Sequence, residues 1–300
     1  MAFLLRTFAL HPRRRLGQHF LADPRLCRRI ADSCGVAPGE RVVEVGPGLG
    51  ALTLALLEAG AEVLAVERDP GLARALKGIV AQWGPSALRD GRIRIVAADV
   101  LALDLGRLLA GPPGPSEPGP TTRRGVVASN LPYGITSPFL LQLVRAGGWR
   151  RAVLMVQKEV GQRLAARPGD AAYGSLTVAV QARCRVAQVL EVSRRCFVPP
   201  PEVDSVVVAL EPLGAPLAPD LDEALERVLR AGFGQRRKML RNAMARLYVR
   251  ADEGPPSRDD PGSRACKLLA EAGIDPQRRA ETLSPGEFLR LAQLLRRGGP

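Results

Sequence analysis

The sequence predicts a doubly wound, Rossmann-like α/β sheet followed by a small helical domain. Three observations predict it. From about residue 41, short Val- and Ile-rich runs alternate with helix-like stretches. The first run ends in a glycine turn, Gly46-Pro47-Gly48-Leu49-Gly50. Beyond about residue 214 the β-like runs stop and helical periodicity takes over.

The elements follow in order. Arg41–Val45, Glu62–Val66, Arg92–Val96, Gly125–Ser129 and Ala152–Val156 are short, β-branched and bounded by turn residues, as buried parallel strands should be. Leu49–Glu58 and Gly71–Ala81 are the helices between the first of them. Val186–Val192 and Val203–Leu210 are β-rich and joined by a loop carrying Pro199-Pro200-Pro201. A connection that short predicts an antiparallel hairpin, since a parallel crossover needs a dozen or more residues. Gly111–Thr122 and Asp252–Gly262 are Pro- and Gly-rich loops, and Leu213–Pro219 is a linker. Asp220–Ala231, Lys238–Val249, Ser263–Ala272 and Ser284–Arg296 read as helices. The chain thus divides into residues 1–213 and 214–300.

Composition narrows the function classes. Of 300 residues, 46% are apolar, enough for a sizeable core, so global disorder is excluded. No stretch free of polar groups is long enough to span a bilayer, and no basic amphipathic helix with aromatic anchors suggests membrane binding. The apolar start Ala2–Leu5 is too short for a secretory signal. Five scattered cysteines without a C-x-x-C pair argue against a disulfide framework or a zinc site and fit a cytoplasmic protein with no metal. Against 30 acidic residues stand 43 basic ones, a net charge of +13. Only Lys77, Lys158, Lys238 and Lys267 are lysine. A GC-rich genome explains that ratio but not the excess, which points to a polyanionic partner, nucleic acid before membrane.

Glycines at a strand-to-helix turn let a ligand approach the backbone, beside the unpaired N–H groups of a helix start. Gly46, Gly48 and Ala51 even satisfy the dinucleotide pattern, so a nicotinamide enzyme stays open on this motif alone. Glu67 ends the second strand, where its carboxylate can accept from both hydroxyls of a ribose. Asp99 follows the third, placed to accept from an adenine amino group. Singly, each acid is better explained as a helix cap or a solvated loop residue. Together they outline an adenosine site at the carboxyl ends of strands, and S-adenosylmethionine fits it as well as NAD.

Ser129-Asn130-Leu131-Pro132-Tyr133, after the fourth strand, discriminates between them. It resembles the (Asn/Asp/Ser)-x-Pro-(Tyr/Phe) motif of N6-adenine methyltransferases, and its Asn-Leu-Pro-Tyr form that of the ribosomal RNA adenine dimethyltransferases. The resemblance runs from about Arg13 to Arg296. Gly17-Gln18-His19-Phe20-Leu21 is similar to a family segment that closes over the cofactor, with His19 where Asn is usual. Phe197-Val198-Pro199-Pro200-Pro201 and Phe233-Gly234-Gln235-Arg236-Arg237-Lys238-Met239-Leu240-Arg241-Asn242 match two more family segments, and Ile274-Asp275-Pro276 a third. Gly134 stands where the family often has Asn.

The resemblance implies a class I methyltransferase using S-adenosyl-L-methionine, with His19, Leu21, Gly46, Gly48, Glu67, Asp99 and Asn130 around the cofactor. Asn130, Leu131, Pro132 and Tyr133 would serve catalysis, with Phe197 packed against the target adenine. It also implies a substrate: two adjacent adenines in the 3′-terminal hairpin of small-subunit (16S) rRNA, dimethylated on an assembly intermediate by a monomer. The large-subunit methyltransferases of macrolide resistance share the site, but usually show Asn-Ile-Pro-Tyr and lack the Phe-Val-Pro-Pro-Pro segment. An assembly checkpoint acting by binding alone is the alternative from another class. Arg230–Arg250 holds seven basic residues and no acidic one, with Phe233 and Tyr248 interleaved. That pattern predicts an RNA-phosphate surface on the helical domain through Arg236, Arg237, Lys238 and Arg241, which Arg13-Arg14-Arg15 extends.

Overall fold

The computed structural model describes residues 7–8, 18–110, 124–235, 238–248 and 260–298. Arg13–Arg15, the loop 111–122, and Arg236 and Arg237 lie outside them. The chain runs β1 (Phe20–Leu21), α1 (Pro24–Cys34), β2 (Arg41–Val45), α2 (Ala51–Glu58), β3 (Glu62–Glu67), α3 (Pro70–Trp83), α4 (Pro85–Arg89), β4 (Ile93–Ala97) and α5 (Leu105–Ala110). It continues through β5 (Gly125–Asn130), α6 (Thr136–Arg145), β6 (Trp149–Gln157), α7 (Lys158–Ala165), α8 (Ser175–Gln181), β7 (Cys184–Val192), β8 (Phe197–Val198) and β9 (Ser205–Pro212). Helices α9 (Pro219–Phe233), α10 (Leu240–Met244), α11 (Pro261–Glu271) and α12 (Pro285–Arg296) follow. No described helix is long and apolar enough to cross a membrane.

Local chemistry explains where helices begin. Asp23, Asp69 and Asp260 each precede a proline, and each carboxylate accepts from two backbone N–H groups of the first turn. Proline at the first helical position loses no bond there, because that N–H has no partner within the helix. Ser284 and Glu287 form a capping box at the start of α12.

Among the described residues seven strands form one sheet, in the order β4-β3-β2-β5-β6-β9-β7. Pairs β2–β3, β3–β4, β2–β5 and β5–β6 are parallel, while β6–β9 is antiparallel with Ala152 opposite Leu210. Val42, Val126, Ala128 and Val153 on these strands pack with Ile30 of α1 and Leu56 of α2 in one buried core. Because β3 and β4 lie on one side of β2 and β5 on the other, the chain reverses direction of travel between β2 and β5. The loops leaving those two strands therefore diverge and leave a crevice at their carboxyl ends.

Two features depart from expectation. The last two β-rich runs are neighbours at the sheet edge, as β7 and β9, yet the segment between them is not a plain loop. Its strand β8 pairs antiparallel with β1, Phe20 facing Val198 and Leu21 facing Phe197. The chain also forms two compact units that a single cut does not separate: residues 1–161 with 185–213, and 162–184 with 214–300. The expected division at 213/214 is one cut; residues 162–184 join the second unit because α8 packs against α9 and α12. Within that unit Phe233 stacks on Phe288 and meets Tyr173, with ring centroids 5.5 and 6.2 Å apart. The Tyr173 hydroxyl donates to the Leu283 carbonyl at 2.8 Å.

Candidate active site

The crevice between β2 and β5 is a cavity of about 290 Å³. The turn leaving β2 holds Gly46, Gly48 and Gly50 at φ of 64°, 56° and 77°, a region costly for any residue with a Cβ. A Cβ on Gly48 would stand 2.9 Å from Cδ1 of Phe20, so the bare backbone is what lets the 19–21 segment close down on the turn.

Glu67, the last residue of β3, is 6% exposed. One carboxylate oxygen accepts from the Gly48 N–H at 3.1 Å and the other from the Asp69 N–H at 2.9 Å. Burial pushes its pKa up, and those backbone donors pull against it. The carboxylate is thus locked in place, and each oxygen keeps a further lone pair for a ligand. Asp99 lies two residues beyond β4 and does two things at once. Its Oδ1 caps the Leu101 N–H at 3.0 Å, and its Oδ2 lies 3.4 Å from Nε of Arg68.

Asn130 ends β5, and its Nδ2 donates to the His19 carbonyl at 2.9 Å. That bond leaves Oδ1 as the end of the amide free to accept from a ligand. The Pro132 carbonyl already accepts from the Ile135 N–H at 3.1 Å. The Tyr133 ring stacks on the His19 ring, with centroids 5.7 Å apart, and its hydroxyl is 3.0 Å from Oγ of Ser205. Burial pushes the Tyr133 pKa up, so the phenol stays neutral.

His19, Leu21, Gly46, Gly48, Glu67 and Asp99 all line this one cavity, together with Asn130, Leu131, Pro132 and Tyr133. Phe197 does not. It is 2% exposed and packs in the main core, because its pairing with Leu21 in β8–β1 turns the ring inward. Phe197, expected to pack against the target adenine, is thus a core aromatic in this structure and does not line the cavity. Phe233 is likewise part of the second unit's aromatic core, and Tyr248 lies under the Arg264 guanidinium at 4.3 Å, so neither is an exposed aromatic between phosphates. Of the expected phosphate contacts, Lys238 and Arg241 are exposed.

Sequence reasoning missed Glu44. It lines the cavity beneath the glycine turn, is 1% exposed, and its Oε2 has no partner among the described residues. Burial pushes its carboxyl up to about 8, opposed by the neighbouring Thr53 hydroxyl and reinforced by the charge of Glu67. The signal was an acid inside the apolar run Arg41-Val42-Val43-Glu44-Val45. Ser205 ends the family segment that begins at Phe197, but its hold on the Tyr133 hydroxyl was not foreseen.

The cavity thus joins an acidic half, Glu67 and Asp99, with an Asn-Leu-Pro-Tyr half. The ribosomal RNA adenine dimethylase family matches residues 9–296. The chain is 42% identical over 298 residues to the ribosomal RNA small subunit methyltransferase A of Rhodospirillum rubrum, covering 99% of this chain and 92% of that one. To its namesake in Moorella thermoacetica it is 43% identical, covering 97% and 95%. A dimethyladenosine transferase from Plasmodium falciparum shares the fold with a TM-score of 0.70, at 24% identity over 94% of this chain and 99% of that one. The 23S rRNA methyltransferase ErmE superposes with a TM-score of 0.63 at 26% identity, covering 91% and 98%. The match is nearly end to end and includes both halves of the cavity, and the chain therefore belongs to the ribosomal RNA adenine dimethylase family.

Proposed function

We propose that the chain is an S-adenosyl-L-methionine-dependent methyltransferase that dimethylates N6 of two adjacent adenines in the 3′-terminal hairpin of 16S rRNA, as a step in small-subunit biogenesis. The observation that carries this reading is the meeting of Glu67 and Asp99 with Asn130–Tyr133 in one cavity. The residues present fit the cofactor. The bare turn at Gly46 and Gly48 gives close backbone approach, Glu67 keeps acceptor capacity for two ribose hydroxyls, and Asp99 offers an acceptor to the adenine amine. Leu21 and the His19 main chain line the same cavity. When bound, the cofactor supplies an electrophilic sulfonium methyl.

The chain's own work is positioning. An exocyclic adenine amine is a poor nucleophile because its lone pair is delocalised into the ring. In this reading Asn130 Oδ1 accepts one amine N–H and the Leu131 carbonyl the other, since the Pro132 carbonyl is engaged. Two acceptors pull the nitrogen toward a tetrahedral shape and aim its lone pair, which is catalysis by orientation and preorganised dipoles. Tyr133 stacks on the extruded base. Lys238 and Arg241, with Arg236 and Arg237, contact phosphates. The protein acts in the cytoplasm as a monomer, on a partly assembled subunit whose loop adenines can splay open.

The test is incubation of the pure protein with tritiated methyl donor and undermethylated small or large subunits. Label in the small-subunit RNA at N6-dimethyladenine is expected. Label in the large subunit instead, or tight subunit binding with no label, refutes the assignment.

A further inference from the structure

We infer that the His19 side chain is a positioning residue for the target-base half of the cavity rather than a ligand of the cofactor; this rests on the reading given above. His19 sits at the closing segment and was expected to face the cofactor, but one nitrogen and one face of its ring are committed elsewhere. Its Nδ1 lies 2.9 Å from the Pro199 carbonyl. A carbonyl only accepts, so Nδ1 carries the proton and donates. The ring face covers Tyr133, 5.7 Å between centroids with the planes 29° apart.

These contacts close a loop. Tyr133 is held at its hydroxyl by Ser205 and at its ring by His19. His19 is held in turn by Pro199, six residues before Ser205 on the same stretch of chain. The His19 main chain adds a separate link by accepting from Nδ2 of Asn130, which sets the direction of Oδ1. Side chain and main chain thus serve two different catalytic groups, and substitution separates them. An alanine keeps the carbonyl that orients Asn130 and removes only the ring. Tyr133 then keeps its hydroxyl anchor but loses the ring that stacks on it, so the platform for the base is less firmly fixed. Misplacement of this kind costs turnover more than binding.

The experiment compares wild type, His19→Ala, His19→Phe and Tyr133→Leu, with His19→Ala also made in the Tyr133→Leu background. His19→Ala should lower kcat on undermethylated small subunits by roughly tenfold. Its cofactor Kd by calorimetry should change less than about twofold, because the ring's contacts are with Pro199 and Tyr133. His19→Phe, which restores a ring over Tyr133, should recover most of the loss. In the Tyr133→Leu background His19→Ala should cost almost nothing further. A tenfold weaker cofactor Kd with kcat unchanged at saturation overturns the inference, as does an equal loss in both backgrounds.

One readout does not need activity. The chain has three tyrosines, so ring-labelled tyrosine NMR resolves Tyr133, assigned by Tyr133→Phe. His19→Ala should move that resonance and leave those of Tyr173 and Tyr248 in place. An unmoved Tyr133 resonance refutes the positioning role whatever the substrate. A wild type that methylates no subunit RNA refutes the functional reading alone.

Discussion

Replacing Glu44 with glutamine should stabilise the folded protein, and more so as pH rises. The carboxyl is buried among valines of the central strand, with one oxygen unpartnered and the like charge of Glu67 nearby. Its pKa stands at about 8 in the folded chain against an ordinary 4.5. Between those values the folded state keeps a proton that the unfolded chain has released. The stability Glu44 contributes is therefore complete below 4.5 and is lost as pH rises toward 8. Each pH unit inside that window costs about 1.4 kcal/mol, so the two units from pH 5 to 7 remove about 2–3 kcal/mol. Glu44→Gln mimics the neutral acid at every pH and escapes this loss. For a chain of this size that gap is a Tm difference of roughly 3–5 °C at pH 7, shrinking toward zero near pH 4. Thermal melts of the full chain and the variant across pH 4–8 measure it. Two Tm curves running parallel over that range would refute the reasoning, because they require Glu44 to be ionised in the folded protein.

Three further outcomes follow from the site. Glu67→Ala should weaken S-adenosylmethionine binding by about 1–3 kcal/mol by calorimetry, since it strands the Gly48 and Asp69 N–H groups as well as the ligand. Asp99→Ala should cost less, because that carboxylate is one-third exposed and shared with Arg68; equal losses at the two sites would contradict the difference in burial. Asn130→Ala should retain cofactor affinity and lose most of the turnover, and a loss of affinity with normal turnover at saturation would move Asn130 to the cofactor side. Lys238→Ala and Arg241→Ala should each flatten the slope of log K against log salt for small-subunit binding by roughly 0.7–0.9, while a slope that holds with a lowered Tm would make them structural.

The parallel sheet was legible because its central strands are buried on both faces and read as Val- and Ile-rich runs; all five expected strands are present within a few residues. The glycine turn, Glu67, Asp99 and Asn130 were legible for a related reason, since each sits where a recognised strand ends. Several helices were not. Pro24 and Pro138 lie in first turns, where proline is harmless, yet in the sequence each reads as a break. β1 and β8 are two residues long, and two residues have no period. Their pairing joins positions 20–21 to 197–198, and that contact sends Phe197 into the core and brings Pro199 to His19. Glu44 was overlooked because burial, the property that makes it unusual, is set by layers packed from distant chain. The membership of 162–184 in the second unit has the same cause.

That discontinuous second unit has a consequence during protein synthesis. Helix α8 leaves the ribosome with Val178, Ala179 and Val180, all buried in the finished fold, well before its partners exist. The first of those partners begins at Pro219, and the last ends at Arg296. The sheet, by contrast, has all its strands once Pro212 has emerged. Nascent chains therefore pass through a stage with a finished sheet and an uncovered greasy helix, the kind of surface that chaperones hold and that aggregates when translation stalls. A premature stop anywhere before α12 leaves that helix only partly covered, so C-terminal truncation should harm solubility far more than the loss of a peripheral tail would.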